Sequence, residues 1–142
     1  MLMYKQGRFW DEGVSFCIPD GFFLETDPDV NYERGIGAWN PTQTCLYMWV
    51  ISDDEVGTRE GLEKASCDFK RLSEITPITL NGLSGHWVAY NTRFEEYYEV
   101  RFALPGGKQL ALILEKEGGK IKTDMDSQEF KDALSGIRAE QT

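Results

Sequence analysis

Gly13-Val14-Ser15-Phe16-Cys17-Ile18-Pro19-Asp20-Gly21-Phe22-Phe23-Leu24-Glu25 is the stretch on which the fold turns. Residues 14–18 read as a strand, Pro19-Asp20-Gly21 break it, and residues 22–25 resume it. Such a stretch opens a small antiparallel α+β domain. Cys17 reads as packing and Asp20 as turn chemistry, so the segment itself is structural.

The rest of the chain agrees with that start. Residues 4–11 form a short leading strand, and Asp27-Pro28-Asp29 a loop. Residues 32–39 make a strand weakened by Gly35 and Gly37. Residues 44–52 read as a buried strand: Cys45, Tyr47, Trp49 and Ile51 face one way and Leu46, Met48 and Val50 the other, so both faces are expected to be covered. Asp53-Asp54-Glu55 end it. Thr58 is positioned as an N-cap with Glu60 in the first turn. Leu62, Ala65, Phe69 and Leu72 then recur at helical spacing, with Lys70 and Arg71 in the last turn. Cys67 falls off that stripe, toward the surface.

Residues 75–80 form the next strand. Asn81-Gly82 is a hairpin signal, because both positions tolerate positive φ. Residues 85–94 return, residues 97–104 follow, Pro105-Gly106-Gly107 turn, and residues 108–116 make a further strand. Asp126, with Glu129 three residues on, reads as a capping box. Phe130, Ala133, Leu134 and Ile137 form the stripe of a closing helix.

Phe16-Cys17-Ile18-Pro19-Asp20-Gly21-Phe22, the apolar strand 46–51, Asn81-Gly82-Leu83-Ser84-Gly85 within a hairpin, and the closing helix 130–137 together resemble the PsbP/Mog-like group. The likeness spans almost the whole chain through short motifs. That group includes extrinsic PsbP proteins of the photosynthetic oxygen-evolving complex, a nuclear Ran-binding factor and many bacterial proteins. The resemblance implies binding or assembly rather than catalysis, and it carries no catalytic residue onto this chain. The expectation is one α+β domain over 1–142, with a central antiparallel sheet of about six strands and two main helices.

Composition narrows the partners. The 142 residues have the length of one domain, and 41% hydrophobic and 13% aromatic content is too apolar for disorder. Net charge is −9, with 24 acids against 15 bases. That field disfavours nucleic acid and anionic membranes and favours a protein partner with a basic surface. No signal pattern or membrane-length apolar run is evident. Cys17, Cys45 and Cys67 form no C-x-x-C pair, and an odd count suits a reducing compartment. A cytoplasmic location is therefore expected.

No catalytic, metal or cofactor residue is assigned. His86 is the only histidine, and a structural role outweighs a Cys–His nucleophile. The acidic groups lack a calcium-loop pattern. The glycines lack a phosphate-cradling one. Alternation along the central strands instead suggests a mixed sheet face carrying Trp87, Arg93, Tyr97, Glu99 and Arg101; His86, a further binding candidate, falls on the opposite face of its strand. Trp, Tyr and Arg are common interface anchors. The expected function is a non-enzymatic binding or assembly module for a protein partner. The alternative is a small-molecule-binding protein or small enzyme with a pocket near His86 and Trp87.

Overall fold

Asn81 and Gly82 both take positive φ, 49° and 85°, the geometry of a tight two-residue hairpin turn whose twist matches its strands. In the computed structural model, which describes residues 2–25, 35–41, 44–51, 57–92, 95–117 and 128–140, that turn joins β8 (Thr76–Leu80) to β9 (Leu83–Asn91). β9 continues the meander into β10 (Glu95–Ala103) and β11 (Gln109–Glu117). Antiparallel register runs the length of each pair, from Glu96↔Asn91 to Phe102↔Gly85 and from Glu95↔Glu117 to Ala103↔Gln109.

On its other edge β11 pairs with β6 (Thr44–Ile51), distant in sequence, which in turn holds β5 (Gly35–Trp39), and β5 holds β4 (Phe23–Leu24). On the far side, β9 is long enough to pair with both β8 and the short β7 (Lys70–Arg71). A smaller sheet takes β1 (Met3–Lys5), β2 (Arg8–Asp11), β3 (Val14–Phe16) and β12 (Arg138–Ala139), in that order.

The opening segment now has a physical meaning. Its first half, β3, belongs to the small sheet and its second half, β4, to the large one. The Pro19-Asp20-Gly21 break carries the chain between them, with Phe22 N–H donating to the Pro19 carbonyl and Gly21 at φ 87°.

Between the sheets lies the core. Leu46, Met48 and Val50 of β6, Leu110, Leu112 and Leu114 of β11, and Tyr98, Val100 and Phe102 of β10 share one face of the large sheet, which the register requires. They are buried together with Phe9, Val14 and Phe16 of the small sheet and Phe130, Ala133 and Leu134 of α2 (Gln128–Ser135). Each large side chain sequestered there contributes roughly 1.5–3 kcal/mol. The opposite face is covered over β9 and β10 by α1 (Thr58–Ser66), where Leu62 packs with Ile75, Val88 and Tyr90.

The expectation of an α+β domain with about six strands is therefore corrected. The described chain is mostly β, with two sheets of 4 and 8 strands and two short helices. Short elements account for the difference. The helix predicted through Leu72 ends at Ser66, whose hydroxyl bonds back to the Leu62 carbonyl at 2.7 Å. Lys70 and Arg71 are not in its last turn; they satisfy the edge of β9 as β7. Gly57, not Thr58, is the N-cap, and Thr58 lies inside the first turn. Asp126, Asp53-Asp54-Glu55 and Asp27-Pro28-Asp29 lie outside the described residues.

Candidate functional site

Antiparallel pairing decides which residues share the outer face of the large sheet. Trp39, Cys45, Glu115, Tyr97 and Tyr90 fall in one row across β5, β6, β11, β10 and β9. Gly37, Tyr47, Ile113, Glu99 and Val88 form the next, and Gly35, Trp49, Ala111, Arg101 and His86 the third. α1 covers the β9–β10 half of this face, and the β5–β6 half carries the exposed Trp39 and Tyr47.

Under α1 the face holds a buried polar chain. The Tyr90 hydroxyl donates to Glu99 Oε1 at 2.7 Å, Arg101 Nε donates to Glu99 Oε2 at 2.7 Å, and Arg101 Nη1 donates to Gln109 Oε1 at 3.4 Å. Glu99, Arg101 and Gln109 are all buried. Among the described residues no buried side-chain nitrogen or oxygen lacks a partner, which is the condition for a buried ion pair to be tolerated. His86 lies opposite Arg101 and shares a 2.8 Å hydrogen bond between Nδ1 and the Thr58 hydroxyl. Burial, then the Glu99 carboxylate, pushes the Tyr90 phenol well above its ordinary value. Burial, then its bond to Glu95, does the same for Tyr97. Both phenols are hydrogen-bond donors here and not bases.

Of the residues expected on one mixed face, the structure keeps Tyr97, Glu99 and Arg101 together, and it adds His86, which was expected on the opposite face of its strand. Trp87 is not with them. It pairs with Val100, so it points to the opposite face, where it is 5% exposed and lies against the rings of Tyr98 and Phe130 at centroid distances of 6.1 and 5.8 Å. The physical reason is register: the hairpin sets Trp87 opposite an inward residue, and a slip of one would be needed to turn it outward. His86 and Trp87, consecutive on a strand, therefore open onto different faces and share no pocket. Arg93 lies outside the described residues.

On the half that no described helix covers, an open groove of about 320 Å³ runs along β5, bordered by Glu25, Trp39, Cys45, Tyr47 and Trp49. Its floor is glycine. A Cβ on Gly35 would lie 2.5 Å from the Trp49 Cβ, and one on Gly37 would lie 3.4 Å from the Tyr47 ring. Side chains at those two positions would fill or splay the groove. Trp39 and Tyr47 are 43% and 41% exposed, and Phe23 packs against Trp39 at 5.2 Å. The expectation that both faces of residues 44–52 are covered is thus corrected for the face bearing Tyr47. One signal for this was present in the sequence. Tyr47 and Trp49 carry polar handles, whereas Leu46, Met48 and Val50 carry none, and the glycines recur two apart on the neighbouring strand.

No family model matches the chain, and no curated protein matches it. A solved structure does resemble it: the solution structure of cyanobacterial PsbP (CyanoP) from Synechocystis sp. PCC 6803, with a TM-score of 0.60 and 12% identity, covering 94% of this chain and 91% of that one. The fold is PsbP-like.

Proposed function

We propose that this chain is a non-enzymatic binding or assembly module that holds a protein partner in the aromatic groove along β5. The observation that carries the reading is the exposure of Trp39 and Tyr47 over a glycine floor, on a sheet face whose other half is covered by a helix. Large rings left in water beside an open apolar trough lose little conformational entropy when a partner covers them, and such rings dominate the energetics of interfaces. A small-molecule site would favour an enclosed cavity with convergent polar groups; the groove is open, and the convergent polar groups lie beneath α1, already bonded to one another.

Membership of the PsbP/Mog-like group, with its binding and assembly roles, belongs to the same proposal. The PsbP-like fold supports it. A cytoplasmic location is proposed as well, and Cys17, Cys45 and Cys67 as thiols support it. No described helix is long and apolar enough to cross a membrane.

The test is capture from lysate of the native host, compared by quantitative mass spectrometry between wild type, the double variant Trp39→Ala/Tyr47→Ala, and Lys131→Ala on the exposed side of α2. A partner lost only with the double variant supports the reading. Equal capture by all three would sink it.

A further inference from the structure

Away from the groove, the tip of the β8–β9 hairpin joins the large sheet to the small one through a single side chain and its own carbonyl. Asn81 Nδ2 donates to the Ile137 carbonyl at 2.7 Å, and the Asn81 carbonyl accepts from Ala139 N–H of β12 at 3.1 Å. Both turn residues, Asn81 and Gly82, are exposed. The chain has asparagine at Asn31, Asn40, Asn81 and Asn91, and the residue that follows decides how readily each amide can be attacked by its own backbone. Pro41 has no N–H to offer. Tyr32 and Thr92 carry bulk at Cβ, and Thr92 is branched there. Gly82 carries none, so its nitrogen is the least hindered nucleophile.

We propose that Asn81 is a site of spontaneous deamidation, and that the reaction unfastens the hairpin tip from β12. Hydroxide removes the Gly82 amide proton and the nitrogen attacks Asn81 Cγ. The new N–C bond closes a succinimide, and the Cγ–Nδ2 bond breaks with loss of ammonia. Water then opens the ring, at Cγ to give aspartate or at the former backbone carbonyl to give isoaspartate. Neither product keeps the fastening. Aspartate sets an acceptor-only carboxylate against the Ile137 carbonyl, where a donor stood. Isoaspartate routes the main chain through Cβ and Cγ, which lengthens the turn and turns the Asn81 carbonyl into a pendant carboxylate. The fold governs when this happens. Ring closure swings the side chain toward Gly82, breaks its bond to Ile137, and disturbs the positive-φ pair that the hairpin needs. The reaction therefore runs from the opened turn, and its rate follows the population of that form. β12 itself stays on the small sheet. Its Arg138↔Ser15 pairing, the Glu140 N–H bond to the Gly13 carbonyl at 3.0 Å and the Ser15–Glu140 bond use no atom of Asn81.

The experiment incubates the full chain at mildly alkaline pH, with and without urea, and follows it by peptide mapping with isoaspartate detection. Amide hydrogen exchange is then read on the aged and the fresh protein. Asn81 is expected to convert before Asn31, Asn40 or Asn91, and about tenfold or more faster in urea than in the folded chain. Gly82→Ala should slow the conversion in urea, where turn strain plays no part. In the converted protein Ala139 N–H should exchange about tenfold faster while Glu140 N–H keeps its protection. No preferential conversion of Asn81 in urea overturns the site. Equal rates with and without urea overturn the control by the fold. Unchanged protection at Ala139 overturns the unfastening, and an equal loss at Ala139 and Glu140 overturns its confinement to the hairpin tip. Asn81→Asp reaches one product by mutation and repeats the exchange comparison should the aged protein fold poorly.

Discussion

Arg101 donates from Nε to Oε2 of Glu99, two residues earlier on the same strand, at 2.7 Å, with the two side chains only 10% and 2% exposed. Neighbours two apart on a strand share a face, so β10 itself presents the pair and Tyr90 on β9 completes it. Removing one member strands the other charge away from water. Glu99→Ala and Arg101→Ala should each cost about 3–5 kcal/mol in urea denaturation. The apolar double replacement Glu99→Leu/Arg101→Met should cost less than either. Tyr90→Phe should lose about 1 kcal/mol. Single variants that unfold at the wild-type midpoint would show that the pair is not buried in solution.

The turn at Asn81-Gly82 fastens the end of the chain. Asn81 Nδ2 donates to the Ile137 carbonyl at 2.7 Å, and the Asn81 carbonyl accepts from Ala139 N–H at 3.1 Å. Gly82 sits at φ 85°, and a Cβ there would meet Ala139 Cβ at 3.1 Å. Gly82→Ala should therefore cost about 1–2 kcal/mol through left-handed strain. Asn81→Ala should speed hydrogen exchange at Ala139 more than at Val100 in the core. Unchanged protection at Ala139 would refute the fastening.

Much of this was legible in the sequence, and the limits have physical causes. The long strands and the Asn81-Gly82 hairpin carry strong local signals: alternation over eight or nine residues and a dipeptide suited to positive φ. β7 and β12 have two residues each, too short for any period to register, and they exist because β9 and β3 offer them edges. The placement of Trp87 was not legible, because alternation fixes which residues of a strand face together but not how two strands align. The groove is half-legible: Gly35 and Gly37 read as weakening a strand, but only pairing with β6 turns their missing side chains into space beside Tyr47 and Trp49.

Tyr47 titration gives an alkaline signature. Burial and the nearby Cys45, Glu115 and Glu95 raise its phenol from 10.0 to about 12. The folded state thus holds the proton that the unfolded state releases. The resulting stability is fully present below pH 10 and is lost as pH rises through about 12. Tyr47→Phe should flatten the alkaline limb of the stability curve, and tyrosinate absorbance should show one late phenol fewer. An occupant bearing a cation would move the wild-type titration downward; a neutral one would not.

At the other end of the pH scale, Glu140 is held below the usual carboxylate range, first by the Ser15 hydroxyl and then by Arg138, each donating to Oε1 at 2.6 Å. A depressed carboxyl contributes stability above its unfolded value and loses it as pH falls through the folded one. Glu140→Gln should make the acid limb of unfolding shallower. An unchanged acid limb would mean that the β3–β12 contact forms without the charge.

Trp87 and Trp39 separate core from surface. Trp87 is 5% exposed and contacts Tyr98 and Phe130, so Trp87→Ala should cost about 3–5 kcal/mol. Trp39, 43% exposed and touching Phe23, should change stability by about 0.5–1 kcal/mol when cut to alanine. Binding should respond in the opposite order. Trp39→Ala removes a groove wall and weakens partner capture with the fold intact. Trp87→Ala leaves affinity near wild type under conditions where the protein remains folded, because no part of its ring reaches the β5–β6 side of the sheet. Affinity that falls with Trp87→Ala in fully folded protein, and holds with Trp39→Ala, would move the partner surface to the other face of the large sheet.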